Sequence, residues 1–226
     1  RQEFGFTDTD LVLLAGSTHE GEEELVLHVF DHLRFTHHDL QLIIAPRHPE
    51  RGDRVHDLVR EHGYDVYRRS HVLAARQAGE ELSPRPAGPT VRVVILDTVG
   101  ELPTVYGCAD LVLVGGSLIR GLSGHNILEP IAQGKATLFG PYMADFRDIS
   151  AIAVREGCGV QVSDPAELQA TCERLLGNES ERLAVADRGP TMIAKYAGAS
   201  ARYAQAVEDL LSATHGPEAE GEAASP

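Results

Sequence analysis

The residues of this sequence that are best suited to chemistry lie between positions 115 and 130. Gly115 and Gly116 follow a short apolar run, and glycines after a buried strand allow a ligand to pass close to the backbone. Asn126 lies where a helix is expected to begin, and the N-terminus of a helix stabilises a bound phosphate. Glu129, in the first or second turn, is placed to accept hydrogen bonds from ribose hydroxyls. This combination favours a nucleotide site; alternatively, Glu129 is a surface acid that compensates the helix dipole.

A second candidate for ligand binding is the arginine of the motif Pro46-Arg47-His48-Pro49. A guanidinium held between two prolines at the carboxyl end of a strand is well placed to bind a phosphate. Alternatively, Arg47 is a solvated side chain of a strand–helix loop. His48 and His125 are expected to form hydrogen bonds in the site rather than to bind a metal.

Two further loops follow apolar runs. In the first, Gly16 permits a tight turn, and Ser17 or Thr18 either caps the following helix or contributes to the site. In the second, residues 97–102, Gly100 lets the backbone approach a ligand, and free N–H groups at the start of a helix would meet a base or a phosphate.

The strands and helices that must position these loops are predicted to alternate along the chain. Apolar runs of four to six residues, rich in leucine or β-branched residues, predict buried strands at 11–15, 40–45, 91–96 and 111–114, with weaker candidates at 64–66 and 136–139. Amphipathic helical patterns lie between them. This alternation predicts an α/β fold with a doubly wound, Rossmann-like parallel sheet. Because such sheets bind ligands at the carboxyl ends of their strands, the four loops are expected to converge.

One domain is expected to span residues 1–211. Within it, the C-terminal part is predicted to be helical at 165–176, 179–187 and 191–211. Proline, glycine and alanine at about 70–89 indicate a mobile insertion. The acidic segment at 212–226 is predicted to form a disordered tail.

The composition restricts the function. A net charge of −14 over 226 residues argues against binding to duplex DNA or anionic lipid, since both reward a basic surface. Three cysteines without CxxC spacing favour a reduced, intracellular protein. The sequence has no apolar run long enough to span a bilayer and no signal peptide. It begins at Arg1 rather than Met, which suggests a piece of a longer protein.

Other nucleotide and metal motifs are missing from the sequence. The first strand–helix turn lacks the GxGxxG fingerprint of dinucleotide sites, and no GxxxxGK[ST] phosphate loop occurs. His28 and His32 are four residues apart, but without an HExxH arrangement they favour a solvated or half-buried pair. We therefore expect neither a metal nor a cofactor.

Six motifs of the sequence resemble those of 3-deoxy-D-manno-octulosonic acid (Kdo) transferases. They are GSTHEGEE at 16–23, PRHPER at 46–51, DTVGEL at 97–102, GGSL at 115–118, GHNILEP at 124–130 and GPYMADFRDI at 140–149. The motifs occur in the family's order and cover nearly all of residues 11–211. The Glu-Pro end of GHNILEP is shared more widely among glycosyltransferases with two Rossmann-like domains, the GT-B fold. The resemblance implies the C-terminal half of such a fold.

The resemblance also implies a ligand and its contacts. The enzyme would move Kdo from CMP-Kdo to the lipid A precursor of lipopolysaccharide. The implied contacts to the cytidine nucleotide are Pro46, Arg47, Val99, Gly100, Glu101, Asn126, Ile127, Leu128 and Glu129. Further candidates for the donor site are Ser17, Thr18, Gly115, Gly116, Ser117 and His125. Val99 stands where many relatives have Met, which is harmless if the backbone makes the contact.

The resemblance also implies an N-terminal domain with a membrane anchor and the acidic catalytic base, and we expect none of it within these 226 residues. The chain alone is therefore expected to bind the donor without catalysing transfer. The full-length enzyme is expected at the cytoplasmic side of the bacterial inner membrane, where it would meet the lipid A precursor. Two alternatives stay open: a stand-alone nucleotide-binding module and a protein similar to UDP-sugar epimerases.

Overall fold

The computed structural model describes residues 1–79 and 92–214. Its strands are β1 (Leu11–Thr18), β2 (Leu40–Pro46), β3 (Asp65–Arg68), β4 (Arg92–Ile95), β5 (Leu111–Val114), β6 (Ala136–Phe139) and β7 (Gly159–Gln161). They form one parallel sheet in the order β3-β4-β2-β1-β5-β6-β7. The predicted strands are all present, and β7 is an addition that the sequence did not predict.

Helices cover both faces of this sheet. They are α1 (Glu22–Leu33), α2 (Gly52–Glu61), α3 (Arg69–Gln77), α4 (Leu102–Val105), α5 (Leu128–Ala132), α6 (Arg147–Glu156), α7 (Pro165–Gly177) and α8 (Glu179–Thr214). Along β1, Leu13 packs in a core layer with residues of α1 and α7, whereas Leu14 packs in the opposite layer with Tyr106. Strands buried on both faces need apolar residues at consecutive positions. The predicted doubly wound α/β fold is confirmed.

The prediction of a mobile insertion at 70–89 was wrong at its start, because Arg69–Gln77 form α3. Ser70 anchors the helix: its N–H and hydroxyl both donate to the carboxylate of Asp97. Val72 on the same helix is also buried. The prolines that suggested an insertion lie beyond this helix, at positions 84–89, and these lie outside the described residues.

The C-terminal helices also differ from the prediction. Separate helices were expected at 179–187 and 191–211, yet α8 continues without a break through Pro190, although proline removes a helix hydrogen bond. Arg182 and Met192, on either side of the proline, are both buried, so packing holds the helix on each side. Of the expected disordered tail, residues 212–214 belong to α8 and 215–226 lie outside the described residues.

Candidate functional site

The carboxyl ends of β1, β2 and β5 bring three of the predicted loops into contact. The N–H of Arg47 donates to the carbonyl of Thr18 (2.9 Å), and the N–H of Gly115 donates to the carbonyl of Gly16 (2.8 Å). The strand order also reverses here, since β2, β4 and β3 continue on one side of β1 and β5, β6 and β7 on the other. Open α/β sheets bind ligands at such a switch point. We refer to this place as the switch-point edge.

The loop after β4 reaches the same edge beside the start of α2. A Cβ on Gly52 would lie 2.7 Å from Nη2 of Arg68 and 2.9 Å from Oδ2 of Asp97, so the two segments are in close contact. Asp97 is buried and accepts hydrogen bonds from Ser70 N (2.9 Å), Ser70 Oγ (2.6 Å) and Arg68 Nε (2.8 Å). Burial alone would raise the pKa of Asp97, but these hydrogen bonds outweigh it and lower the pKa.

Glu101 at the end of this loop is held by a second arginine. Its carboxylate accepts hydrogen bonds from Arg69 Nε (3.1 Å) and Nη2 (2.7 Å) and from the hydroxyl of Thr98. The bond from Arg69 lowers the pKa of Glu101. Between the two anchored acids, Val99 is 87% exposed and Gly100 has a φ of 83°. The loop therefore presents a short exposed tip on a fixed base.

The buried carboxylate of Glu22 organises the loop after β5. Its Oε2 accepts from the N–H groups of His19 (2.9 Å) and Gly116 (2.7 Å). Its Oε1 accepts from the N–H groups of Ser117 (3.1 Å) and Leu118 (2.9 Å). Because Glu22 occupies these donors, Gly116 and Ser117 shape the loop and do not offer free backbone N–H groups to a ligand.

Close packing explains the glycine pair at the start of the same loop. A Cβ on Gly115 would lie 2.7 Å from the carbonyl oxygen of Ser17 and 2.8 Å from Cα of Thr18. Gly116 has a φ of 66°, and a Cβ there would lie 2.7 Å from the ring of His125. Ser17 itself has a φ of 57°, a left-handed conformation that costs on the order of 1–3 kcal/mol and recurs at functional sites.

Two of the candidate hydroxyl groups bond within the protein. The buried Thr18 donates to Oε1 of Glu23 (2.9 Å), which also accepts from Arg51 (2.5 Å). The buried Ser117 donates to the carbonyl of Val114 (2.6 Å). These side chains hold the loops together and leave ligand binding to other groups.

Basic side chains gather where the loops after β1 and β2 meet the segment before α5. Nε2 of His19 lies 2.8 Å from Nε2 of His125, and the two ring planes are nearly parallel (11°) with centroids 5.0 Å apart. The ring of His48 lies edge-on to His19 at 5.8 Å. Burial, with the charges of His19 and Arg47 adding to it, lowers the pKa of His125 to about 4. Arg47 is exposed, and its guanidinium has no partner among the described side chains.

The segment before α5 is folded by Asn126. Its Oδ1 accepts from the N–H of Leu128 (3.0 Å), and its Nδ2 donates to Oε1 of Glu129 (3.2 Å). The helix begins at Leu128, after the buried Ile127 and near Asn126 as expected, and the asparagine side chain closes a turn just before it. Glu129 is half-buried and, after burial itself, helps to raise the pKa of Tyr106.

Among the residues of this edge that were not singled out from the sequence are His19, Glu22, Arg68 and Arg69. The first two lie three residues apart in the motif at 16–23, and the two arginines follow a weak strand pattern. In the described part of the chain, no group of three or more His, Cys, Asp or Glu side chains is close enough to hold a metal ion. No helix there is long and apolar enough to cross a membrane.

Comparison with curated proteins gives several relatives that are named as 3-deoxy-D-manno-octulosonic acid transferases. The chain is 36% identical over 169 residues to a probable 3-deoxy-D-manno-octulosonic acid transferase, mitochondrial, of Arabidopsis thaliana, covering 74% of this chain and 35% of that protein. It is 33% identical over 211 residues to the 3-deoxy-D-manno-octulosonic acid transferase of Bordetella pertussis, covering 92% of this chain and 46% of that protein. The chain thus spans less than half the length of these relatives. No family model matches it.

Comparison with solved structures points to one part of such proteins. The C-terminal CMP-Kdo binding domain of WaaA from Acinetobacter baumannii superposes with a TM-score of 0.69 at 25% identity. The match covers 85% of this chain and 93% of that domain. The resemblance predicted from the six motifs is confirmed, and the fold is that of a C-terminal domain in a GT-B glycosyltransferase.

Proposed function

Since this chain is a relative of the Kdo transferases, we propose that it is the donor-binding part of such a glycosyltransferase and that its switch-point edge binds CMP-Kdo. The observation that carries the proposal is the convergence of separate loops on this edge. The loop of Arg47 is hydrogen-bonded to the end of β1, and the loop after β5 is hydrogen-bonded to the same strand. The implied nucleotide contacts lie on these loops and on the neighbouring tip after β4.

Each part of the nucleotide has a matching group in this proposal. The exposed guanidinium of Arg47 binds the phosphate through charge-assisted hydrogen bonds. Glu129 accepts from the ribose hydroxyls while Asn126 holds its carboxylate in place. The tip at Val99 and Gly100 meets the cytosine through its backbone. Pro46, Ile127 and Leu128 supply shape, with Pro46 and Ile127 buried and Leu128 half-buried.

The proposed reaction is attack of an acceptor hydroxyl on the anomeric carbon of Kdo, with CMP as the leaving group. Arg47 stabilises the charge that grows on the departing phosphate, which is electrostatic catalysis by a fixed cation. A general base must remove the hydroxyl proton. Glu22, Asp97 and Glu101 are already held by backbone N–H groups or arginines, which supports a base from another region of the full enzyme.

Nucleotide preference tests the proposal. We expect CMP to bind this chain more tightly than UMP in calorimetric titrations, because the donor is a cytidine nucleotide. UDP is the matched competitor, since a protein similar to UDP-sugar epimerases would bind it at least as well as CMP. UMP or UDP binding equal to or tighter than CMP overturns the assignment.

We further propose that the acceptor is the lipid A precursor and that the full enzyme acts at the cytoplasmic face of the inner membrane. The chain alone should then bind CMP but transfer no Kdo to a lipid A precursor. Transfer at a rate near that of a full-length relative would show that the base lies within these 226 residues.

A further inference from the structure

A local excess of basic groups marks the open side of the switch-point edge. The chain as a whole carries a net charge of −14, yet Arg47, His48, His19 and His125 gather here. The acids nearest to His19 belong to α1: Glu22 is bound by four backbone N–H groups, and Glu23 is paired with Arg51. Near His125 lies the exposed Asp145. The basic groups are therefore only partly neutralised.

The contact between His19 and His125 restricts how many protons the pair can hold. A neutral imidazole carries one N–H, so an Nε2–Nε2 distance of 2.8 Å requires a hydrogen on one of the two nitrogens and a lone pair on the other. Adding one proton to a free Nδ1 leaves this hydrogen bond intact and gives the pair one positive charge. Adding two protons puts hydrogens on both Nε2 atoms and breaks the contact. The geometry accommodates a charge of zero or one.

We propose that the pair of His19 and His125 takes up one proton when a phosphate-bearing ligand binds beside Arg47. The inference rests on the proposed function, because it takes the phosphate of the nucleotide as the ligand at this edge. The pair then acts as a second, proton-dependent cation next to the permanent charge of Arg47. Donor affinity is expected to rise as the pH falls from 8 towards 6, within the range where histidine charges change.

The surroundings explain why the pair is neutral without a ligand. Burial lowers the pKa of His125 to about 4, and His19, Arg47 and His48 add repulsion that the exposed Asp145 offsets in part. Burial also lowers the pKa of His19, with repulsion from His48 and Arg51 set against attraction to Glu22 and Glu23. A bound phosphate adds up to two negative charges and so favours the protonated form.

Calorimetry can count the proton. CMP is titrated into the chain at pH 6.5 in two buffers with different ionisation enthalpies, and the buffer dependence gives the protons taken up per nucleotide. The same titrations use His125→Asn, His19→Asn and the exposed matched control His32→Asn. CMP's own phosphate titrates near pH 6 and contributes equally in every variant, so the differences between variants report the pair.

We expect wild type and His32→Asn to take up about half a proton to one proton more per CMP than either variant of the pair. Cytidine, which lacks the phosphate, should cause no uptake. CMP binding with equal uptake in all four proteins overturns this inference and leaves the proposed function standing. No CMP binding by wild type overturns both.

If the substitutions unfold the chain, NMR spectra of the wild type can still test the inference. Imidazole nitrogen chemical shifts in NMR spectra distinguish neutral from protonated histidine. Shifts of His19 and His125 that stay neutral in the CMP complex overturn the inference.

Discussion

The loop after β4 and the loops after β1 and β2 reach the same edge of the sheet, but they differ in whether their charged side chains have partners. After β4, the buried Asp97 accepts from Arg68 at 2.8 Å. After β1 and β2, the exposed Arg47 has no side-chain partner in the described part of the chain, and His19 contacts the ring of His125. We call residues 97–101 with their two arginines the paired rim. We call His19, Arg47, His48 and His125 the open rim.

This difference suggests that the paired rim fixes the shape of the loop and that the open rim supplies affinity for the ligand. In the paired rim, the charges of Arg68 and Arg69 are used to fix a loop whose tip, Val99, is exposed. An ion pair with little exposure is strongly destabilised when one partner is removed, so this rim should govern folding. In the open rim, the charge of Arg47 is solvated, and its removal should alter ligand binding rather than stability.

Asp97→Ala should produce the largest change, in stability. It leaves Arg68, whose side chain is 13% exposed, without its buried partner, and both hydrogen-bonding groups of Ser70 lose their acceptor. We expect a loss of about 3 kcal/mol in the free energy of unfolding, measured by urea denaturation. The control is Asp187→Asn, at an exposed position on α8. A loss no larger than that of the control would show that the paired rim does not hold the loop.

The pH dependence of stability provides a second test of the contribution of Asp97. The pKa of Asp97 is lower in the folded protein than in the unfolded chain. Its contribution to stability is therefore complete above the unfolded value of about 4 and is lost as the pH falls through the folded pKa. Wild type should lose more stability than Asp97→Ala between pH 5 and pH 2. Parallel curves for the two proteins would contradict this.

The sequence predicted the open rim better than the paired rim, for a physical reason. Arg47 and His48 directly follow an apolar run, and such a local pattern is visible without long-range partners. Asp97 and Ser70 are 27 residues apart, and Arg69 and Glu101 are 32 apart, so their pairing depends on which strands become neighbours.

The same reasoning applies to the fold. The central strands were predicted because burial on both faces demands continuous apolar runs. The three residues of β7, in contrast, carry no such run, since only Gly159 is buried. The break expected between residues 187 and 191 was wrong, because α8 continues through Pro190 and packing on both sides holds the helix.

Arg47→Ala should give the largest change in binding. Loss of a charge-assisted hydrogen bond to phosphate costs about 1.5–3 kcal/mol, which is roughly a 10- to 150-fold weaker CMP affinity. The melting temperature should stay within a degree or two of wild type, as expected for an exposed side chain. Arg54→Ala, at an exposed arginine beside Glu20, is the matched control and should keep CMP affinity. Unchanged affinity in folded Arg47→Ala would remove the phosphate from this rim.

Substitutions of Glu129 should have a smaller effect on binding. Glu129→Gln keeps the size of the side chain and a neutral acceptor, whereas Glu129→Ala removes both. We expect CMP affinity to fall by about 1 kcal/mol in the alanine variant and by less in the glutamine variant. Calorimetry on 2′-deoxy-CMP separates the ribose contact from a general effect. Equal losses for CMP and for the deoxynucleotide in Glu129→Ala would show that the carboxylate does not bind the 2′-hydroxyl.

Val99→Ser should have the smallest effect, although Val99 stands at the tip of the paired rim. Its side chain is 87% exposed, so truncation removes little packing, and stability should change by no more than about 0.5 kcal/mol. CMP affinity should also stay within about threefold, because the proposed contact to the base runs through the backbone. The informative partner is Gly100→Ala, which forces a Cβ into a φ of 83° at a cost of about 1–2 kcal/mol. That variant should weaken CMP binding, since it reshapes the tip that Val99→Ser leaves intact. A strong loss in Val99→Ser, with Gly100→Ala unaffected, would mean that the side chain and not the backbone meets the base.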